Sequence, residues 1–298
     1  MSYFDYTKIA KAYKSVRKHV LKTPLITSEY INTYTKANIF FKLENLQFTG
    51  SFKLRGAINK INQLNYDEKQ KGIVAYSSGN HAQAVAYAAK INNINSKIVM
   101  PSDAPVIKIN NTKKYGSKVI LYDRLKENRE EIGQQISTEE GRTLIKPYDD
   151  IDIISGQGTC GKEIADDLVN LNIKPDIFLC CCGGGGLIAG TSTYLKYQFP
   201  NIKCFSVEPE GLDDTKLSLE AEKIIPNKKG IYSICDALLA PQPGDITFPI
   251  NKKILSGGLS VNESDIKKTI IYLAENLKII SEPGGAVAAA RFLLDAQC

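Results

Sequence analysis

Along its middle, this 298-residue chain repeats one pattern: a short apolar run, a turn rich in glycine or serine, then a stretch with helical character. Residues 72–76 lead through Ser77-Ser78-Gly79-Asn80 into 82–90. Residues 97–100 lead through Pro101 into 107–115, and 118–122 follow. Further on, residues 177–182 lead through Gly183-Gly184-Gly185-Gly186 into 187–197, and 203–207 come next. Strands alternating with helices in this way build parallel sheets with helices on both faces. The expected fold is therefore α/β: two domains, each a twisted, mostly parallel sheet flanked by helices, with the working site in the interdomain cleft. Residues 48–145 are expected to form the small domain, and residues 1–47 with 146–298 the large one. Ligands of open α/β sheets bind at the carboxyl ends of strands, where both polar turns fall.

Composition narrows the function classes. At 43% hydrophobic and 23% charged, the chain reads as an ordinary globular protein with ample core. Its net charge of +6 comes from 38 Lys and Arg against 32 Asp and Glu, with no run of five basic residues. That spread argues against nucleic-acid binding through a basic stripe, while it suits anionic small molecules. The longest apolar stretch, 177–189, is broken by four glycines and is too short to span a bilayer. The N-terminus scatters Lys and Arg where a signal peptide has an apolar block, so the cytoplasm is the expected location. Seven cysteines, three of them consecutive, make no disulfide framework. Neighbours in a strand point to opposite faces, so Cys180, Cys181 and Cys182 cannot share one metal ion and are expected as small buried hydrophobes.

Three segments carry candidate chemistry. Four glycines at 183–186, between an apolar run and a helix start, let backbone N–H groups crowd around an anion, and the helix dipole assists. A phosphate or pyrophosphate is the natural occupant. Gly184-x-Gly186-x-x-Ala189 also fits a dinucleotide fingerprint, with Glu208 near the expected ribose-binding acid. In Thr49-Gly50-Ser51-Phe52-Lys53-Leu54-Arg55-Gly56-Ala57 a lysine stands between apolar residues. A desolvated lysine loses its proton more easily and becomes an imine-forming nucleophile; a surface lysine at a helix start is the alternative. In Ser77-Ser78-Gly79-Asn80-His81, small hydroxyls and free N–H groups suit a carboxylate, and the Asn amide suits a ring substituent; a ligand-free helix cap is the alternative.

A sequestered lysine, a carboxylate-type loop and a phosphate cup together suit pyridoxal phosphate acting on an amino acid. The segments S-F-K-L-R-G-A, S-S-G-N-H-A-Q, S-G-Q-G-T (155–159), G-G-G-G-L and S-E-P-G-G-A (281–286) resemble the threonine/serine dehydratase and serine racemase family, pyridoxal-phosphate enzymes of fold type II. They run in the family's order from about residue 20 to residue 290. The resemblance implies that Lys53 holds the cofactor covalently and that Phe52 packs by its ring. It implies that Asn80 bonds the ring's phenolic oxygen and that Gly183, Gly184, Gly185, Gly186 and Leu187 hold the phosphate. Ser77, Ser78, Gly79, Asn80 and His81 would then bind the substrate. Residues 208–214 resemble the family's divalent-cation loop, in which Glu208 and Asp214 would supply carboxylates and Leu212 its carbonyl to Mg²⁺ or Ca²⁺. A solvated acidic turn is the other reading. A homodimer is usual where the resemblance points.

The implied activity is β-elimination of L-threonine or L-serine, giving 2-oxobutyrate or pyruvate and ammonia, with Lys53 as the base at Cα. Racemisation needs a second acid/base on the opposite face, and Ser78 stands where the family's racemases have serine. Pro147-Tyr148-Asp149 and His81-Ala82-Gln83 resemble the dehydratases more closely. A serine racemase with side dehydratase activity is thus the alternative, with a non-catalytic binding protein or a nicotinamide-dependent dehydrogenase more remote. One departure stands out. Family members continue beyond the S-E-P-G-G-A helix into a strand ending in Ser-Gly-Gly-Asn, which meets the pyridine nitrogen, whereas this sequence stops at Cys298. An open sheet edge and a ring nitrogen without its usual partner are expected.

Overall fold

The computed structural model describes residues 4–228 and 230–293. Its first sheet is a two-residue antiparallel pair, β1 (Leu25–Ile26) with β2 (Phe41–Lys42). The second comprises β3 (Ile73–Tyr76), β4 (Ser96–Pro101), β5 (Lys118–Tyr122) and β6 (Thr143–Ile145), all parallel in the order β5-β4-β3-β6. The third comprises β7 (Ile177–Cys181), β8 (Lys203–Pro209) and β9 (Gly257–Val261), parallel in that order, with β7 at an edge.

Every residue of β3 is buried, which is why Ile-Val-Ala-Tyr reads as a continuous apolar run rather than an alternation. Helices cover it on both faces. Leu54, Ile58 and Ile61 of helix Lys53–Gln63 share a core with Val85 and Ala89 of helix Asn80–Ile91 and with Ile73 and Ile98. Val74, Tyr76 and Val99 face helix Arg129–Glu140 through Ile132 and Ile136. The third sheet packs against helix Pro283–Leu293 through Val207, Val261, Ala286 and Val287.

The longest helix, Ile151–Asn170, begins at Asp150, whose carboxylate accepts from the Asp152 and Ile153 amides at 2.8 and 3.1 Å. It packs against helix Lys53–Gln63 and helix Gly186–Gln198. A Cβ at Gly156 would lie 2.6 Å from the Gly56 Cα, so the glycines of S-G-Q-G-T serve helix-to-helix contact.

The parallel α/β pattern is borne out, with the expected strands matched to within a few residues. The sequence pattern passed over β1, β2, β6 and β9, which are two or three residues long or begin with a glycine pair. Cys180 and Cys182 pack with Ile188, while Cys181 sits with Cys235 in another cluster. The cysteines among the described residues are free thiols, and Cys298 lies outside the described residues.

Candidate active site

A cavity of about 1190 Å³ opens at the carboxyl ends of β3 and β7. Three helices start at its wall: Lys53–Gln63, Asn80–Ile91 and Gly186–Gln198. The residues preceding them, Phe52, Gly79 and Gly185, make no side-chain cap bond. The positive ends of their dipoles, and those first N–H groups not bonded elsewhere, therefore face the cavity without a capping side chain. Phe52, Lys53, residues 77–81 and residues 183–187 all line this one cavity.

Lys53 projects into it from the first turn of its helix. Its ammonium donates to the Pro147 carbonyl at 2.7 Å and lies 5.3 Å from the Phe52 ring centroid. Burial, and then the Arg129 charge, pull its pKa down to about 8, against an opposing pull from Glu282. Two residues on, Arg55 is wholly buried and anchors this turn. Its guanidinium forms two forks, to Glu44 at 2.7 Å and to Glu163 at 2.8 Å. Lys42 completes the set, donating to Glu163 at 2.7 Å. Two cations and two carboxylates thus close a neutral, fully bonded network that burial would otherwise penalise.

The glycine cup is braced from behind. Gly185 adopts φ +87°, and a Cβ there would lie 2.6 Å from the Asn251 amide nitrogen. A Cβ on Gly184 would fall within the Tyr148 ring, which lies against the cup. Buried Thr247 donates to the Gly184 carbonyl at 2.7 Å, and buried Asn251 to the Gly185 carbonyl at 3.3 Å. Asp149 accepts from the Ile246 and Thr247 amides at 2.8 and 3.2 Å, tying this brace to the segment that holds Lys53.

The loop at 77–81 is held differently. The Gly79 amide donates to Ser77 Oγ at 3.1 Å, and the Asn80 amide donates to Glu282. Ser78 is half-exposed on the cavity wall. His81 Nε2 donates to the Ile145 carbonyl at 3.0 Å, since a carbonyl only accepts, and its Nδ1 has no partner. Burial and then the Lys53 charge pull the imidazole down to about 3, so it is neutral at working pH.

The matching family model, pyridoxal-phosphate dependent enzyme, spans residues 16–297. The chain belongs to that family. It is 39% identical over 288 residues to the serine racemase of Schizosaccharomyces pombe, covering 96% of this chain and 88% of that one. It is 40% identical over 286 residues to a catabolic L-threonine dehydratase of Staphylococcus aureus, covering 96% and 81%. Among solved structures, maize serine racemase superposes with a TM-score of 0.93 at 35% identity, covering 99% of this chain and 88% of that one.

Glu208, Leu212 and Asp214 do not line the cavity; they gather at the end of β8. No cluster of three or more His, Cys, Asp or Glu suited to a metal occurs among the described residues. Glu208 accepts from the Thr215 and Lys216 amides at 3.0 and 2.9 Å. Asp214 Oδ1 accepts from Asn227 at 2.7 Å, while the buried Oδ2 has no partner. Burial pushes the Asp214 carboxyl up to about 7, and burial with the Asp214 charge pushes Glu208 well above its ordinary range. Glu208 is fully buried and does not line the cavity, so it is out of reach of a ribose bound there.

Sequence reading missed Arg129, which lines the cavity over the Tyr76 ring at 5.8 Å. It also missed Thr247 and Asn251. None of the three stands in a glycine- or serine-rich turn, so composition offered no signal. Among the described residues, no helix is long and apolar enough to cross a membrane.

Proposed function

We propose that this chain is an ammonia-lyase that converts L-threonine or L-serine to 2-oxobutyrate or pyruvate, with release of ammonia. The observation that carries the reading is that three helix starts without a side-chain cap share one cavity with the amine of Lys53, whose proton affinity is lowered. The residues fit pyridoxal phosphate. A lysine easily made neutral meets the aldehyde, the braced cup at 183–187 meets the phosphate, Phe52 packs by the ring, and Asn80 meets its phenolic oxygen. When bound, pyridoxal phosphate supplies the electron sink that makes the substrate's Cα–H bond acidic.

The chain's own groups do the rest. The N–H groups of Ser78, Asn80 and His81 hold the substrate carboxylate, and the Ser77 and Asn80 side chains orient it. Arg129, for which no carboxylate partner occurs among the described residues, adds positive potential on the same wall. The neutral Lys53 amine takes the Cα proton, because a group within reach acts far faster than one delivered from solvent. Neutral His81 lends its bulk and a fixed tautomer.

Ser78 favours a second reading, serine racemase. It lines the same cavity as Lys53, and a hydroxyl there could return a proton to the other face of Cα. Paired assays separate the readings: 2-oxo acid formation from L-serine and L-threonine, and chiral chromatography for D-serine. Lys53→Ala abolishes both activities and the visible absorbance of lysine-bound cofactor, with the fold retained. Turnover by Lys53→Ala near the parent rate would sink the reading.

Glu208 and Asp214 are read as a cation site, supported by two buried carboxylates side by side and the unpartnered Asp214 Oδ2. Mg²⁺ or Ca²⁺ would take oxygen from both and from the Leu212 carbonyl. The expected result is a rise in Tm of the chelator-treated protein on adding cation, lost in Glu208→Gln/Asp214→Asn. A parent protein indifferent to chelator and cation would leave these residues a buried acidic turn.

A further inference from the structure

A cationic side chain, Lys108, joins the two walls of the cleft. Lys108 stands on helix Val106–Lys114, which follows β4 of the four-stranded sheet. Its ammonium donates to Asp236 Oδ2 at 2.8 Å and to Glu282 Oε2 at 3.4 Å. Both carboxylates belong to the other wall: Asp236 opens the short helix Asp236–Leu238, and Glu282 precedes helix Pro283–Leu293. Glu282 reaches back through its second oxygen to Asn80, so one carboxylate serves two groups of the opposite wall.

The stem of Lys108 lies directly on the loop 77–81. A Cβ at Gly79 would fall 2.5 Å from Lys108 Cδ and 2.9 Å from its Nζ. The middle of that loop is thus a residue without a side chain, with a lysine laid across it. In the first turn of the helix carrying Lys108, only Ile109 reaches the core. Val106 and Ile107 are exposed at 71% and 69%, and the buried residues of this helix are Ile109 and Thr112. The lysine side chain is only 15% exposed, so its pairing is sheltered from solvent more than an open surface pair.

We propose that Lys108 is a positioning residue that holds the loop 77–81 against the opposite wall, and that entry and release of an amino acid require this bridge to part. The inference rests on the reading of that loop as the carboxylate site. Closing segments of this kind set KM and release more than the bond-making step.

The test uses Lys108→Met, Lys108→Arg, Asp236→Asn and Lys108→Met/Asp236→Asn, with two readouts. The first is KM and kcat for L-threonine and L-serine in the cofactor-loaded enzyme. The second is hydrogen exchange of residues 77–81 and 106–114 in protein stripped of cofactor, which does not depend on the reaction. Lys108→Met is expected to raise KM about fivefold, with kcat moving less, and to speed exchange in those two segments about tenfold. Exchange in β3 and β7 should hold at the parent value. Lys108→Arg restores both readouts, and Asp236→Asn adds nothing once Lys108 is gone, because the two act through one contact. Parent-like KM and exchange in Lys108→Met would overturn the proposal. So would exchange raised equally across the whole chain, which marks a merely structural pair, or a fall in kcat at unchanged KM. If the parent turns over neither amino acid, the functional reading fails, and local exchange still decides whether the bridge closes the loop.

Discussion

The cavity has two glycine-bearing loops that look alike in sequence and are held in opposite ways. Both place glycine before a helix that lacks a side-chain cap. The cup at 183–186 is braced from its own side of the cleft by buried Thr247 and Asn251, and the Tyr148 ring lies against it. The loop at 77–81 hangs on the far wall through Asn80–Glu282 and the Lys108 bridge, with Ser77, Ser78 and Asn80 only half-buried. The contrast matches two different tasks. A cofactor that stays needs a rigid seat, whereas a substrate that must leave needs a wall that can move.

Substitution in the rigid loop should break that contrast most sharply. Gly185→Val forces a branched side chain into left-handed backbone and onto Asn251, and cofactor affinity should fall about a hundredfold or more. Titration of the cofactor-free protein with pyridoxal phosphate measures it. Unchanged affinity would move the phosphate elsewhere.

A smaller effect is expected from pH, through the lysine between the two loops. With its pKa near 8, Lys53 is neutral in roughly a tenth of molecules at pH 7 and in about nine-tenths at pH 9. The rate of cofactor loading should therefore rise roughly tenfold across that interval and then level off. Removing a positive neighbour makes protonation easier, so Arg129→Met should shift this rise to higher pH. His81, neutral throughout, contributes no step between pH 6 and pH 7. A loading rate flat from pH 7 to pH 9 would contradict the lowered affinity of Lys53 for its proton.

The smallest effect on elimination belongs to the movable loop. Ser78→Ala should leave 2-oxo acid formation within about tenfold of the parent, roughly 1.4 kcal/mol in barrier, and should erase any conversion of L-serine to D-serine. Loss of both activities together would make Ser78 a substrate-positioning group. Parent protein that forms D-serine faster than pyruvate would place racemisation first.

What could be read in the sequence was whatever is contiguous. Phe52 and Lys53, residues 77–81 and residues 183–187 each lie within a few consecutive positions, and each shows a composition that only special backbone requires. Parallel pairing puts residues 77–81 and 183–187 each at the carboxyl end of a strand, and the way the two larger sheets face each other brings them together with Lys53. The buried strand β3 was equally legible, because helices on both faces demand an unbroken apolar run. The short strand β6 was not, since three residues carry no period.

The supporting groups could not be read in advance. Thr247 stands 63 residues from the carbonyl it braces, Asp236 stands 128 residues from Lys108, and Glu282 stands 202 residues from Asn80. Thr247 and Asp236 are ordinary polar residues in ordinary local settings, and even for Glu282, which stands in the S-E-P-G-G-A segment, the partner is chosen by how the two sheets come together. Sequence alone determined the parallel α/β plan and marked Lys53 and the two glycine-bearing loops as candidates, because propensity and hydrophobic period act between near neighbours. The tertiary structure decided which loop is braced and which can move, because hydrogen bonds and ion pairs act wherever the fold brings their ends within about 3 Å.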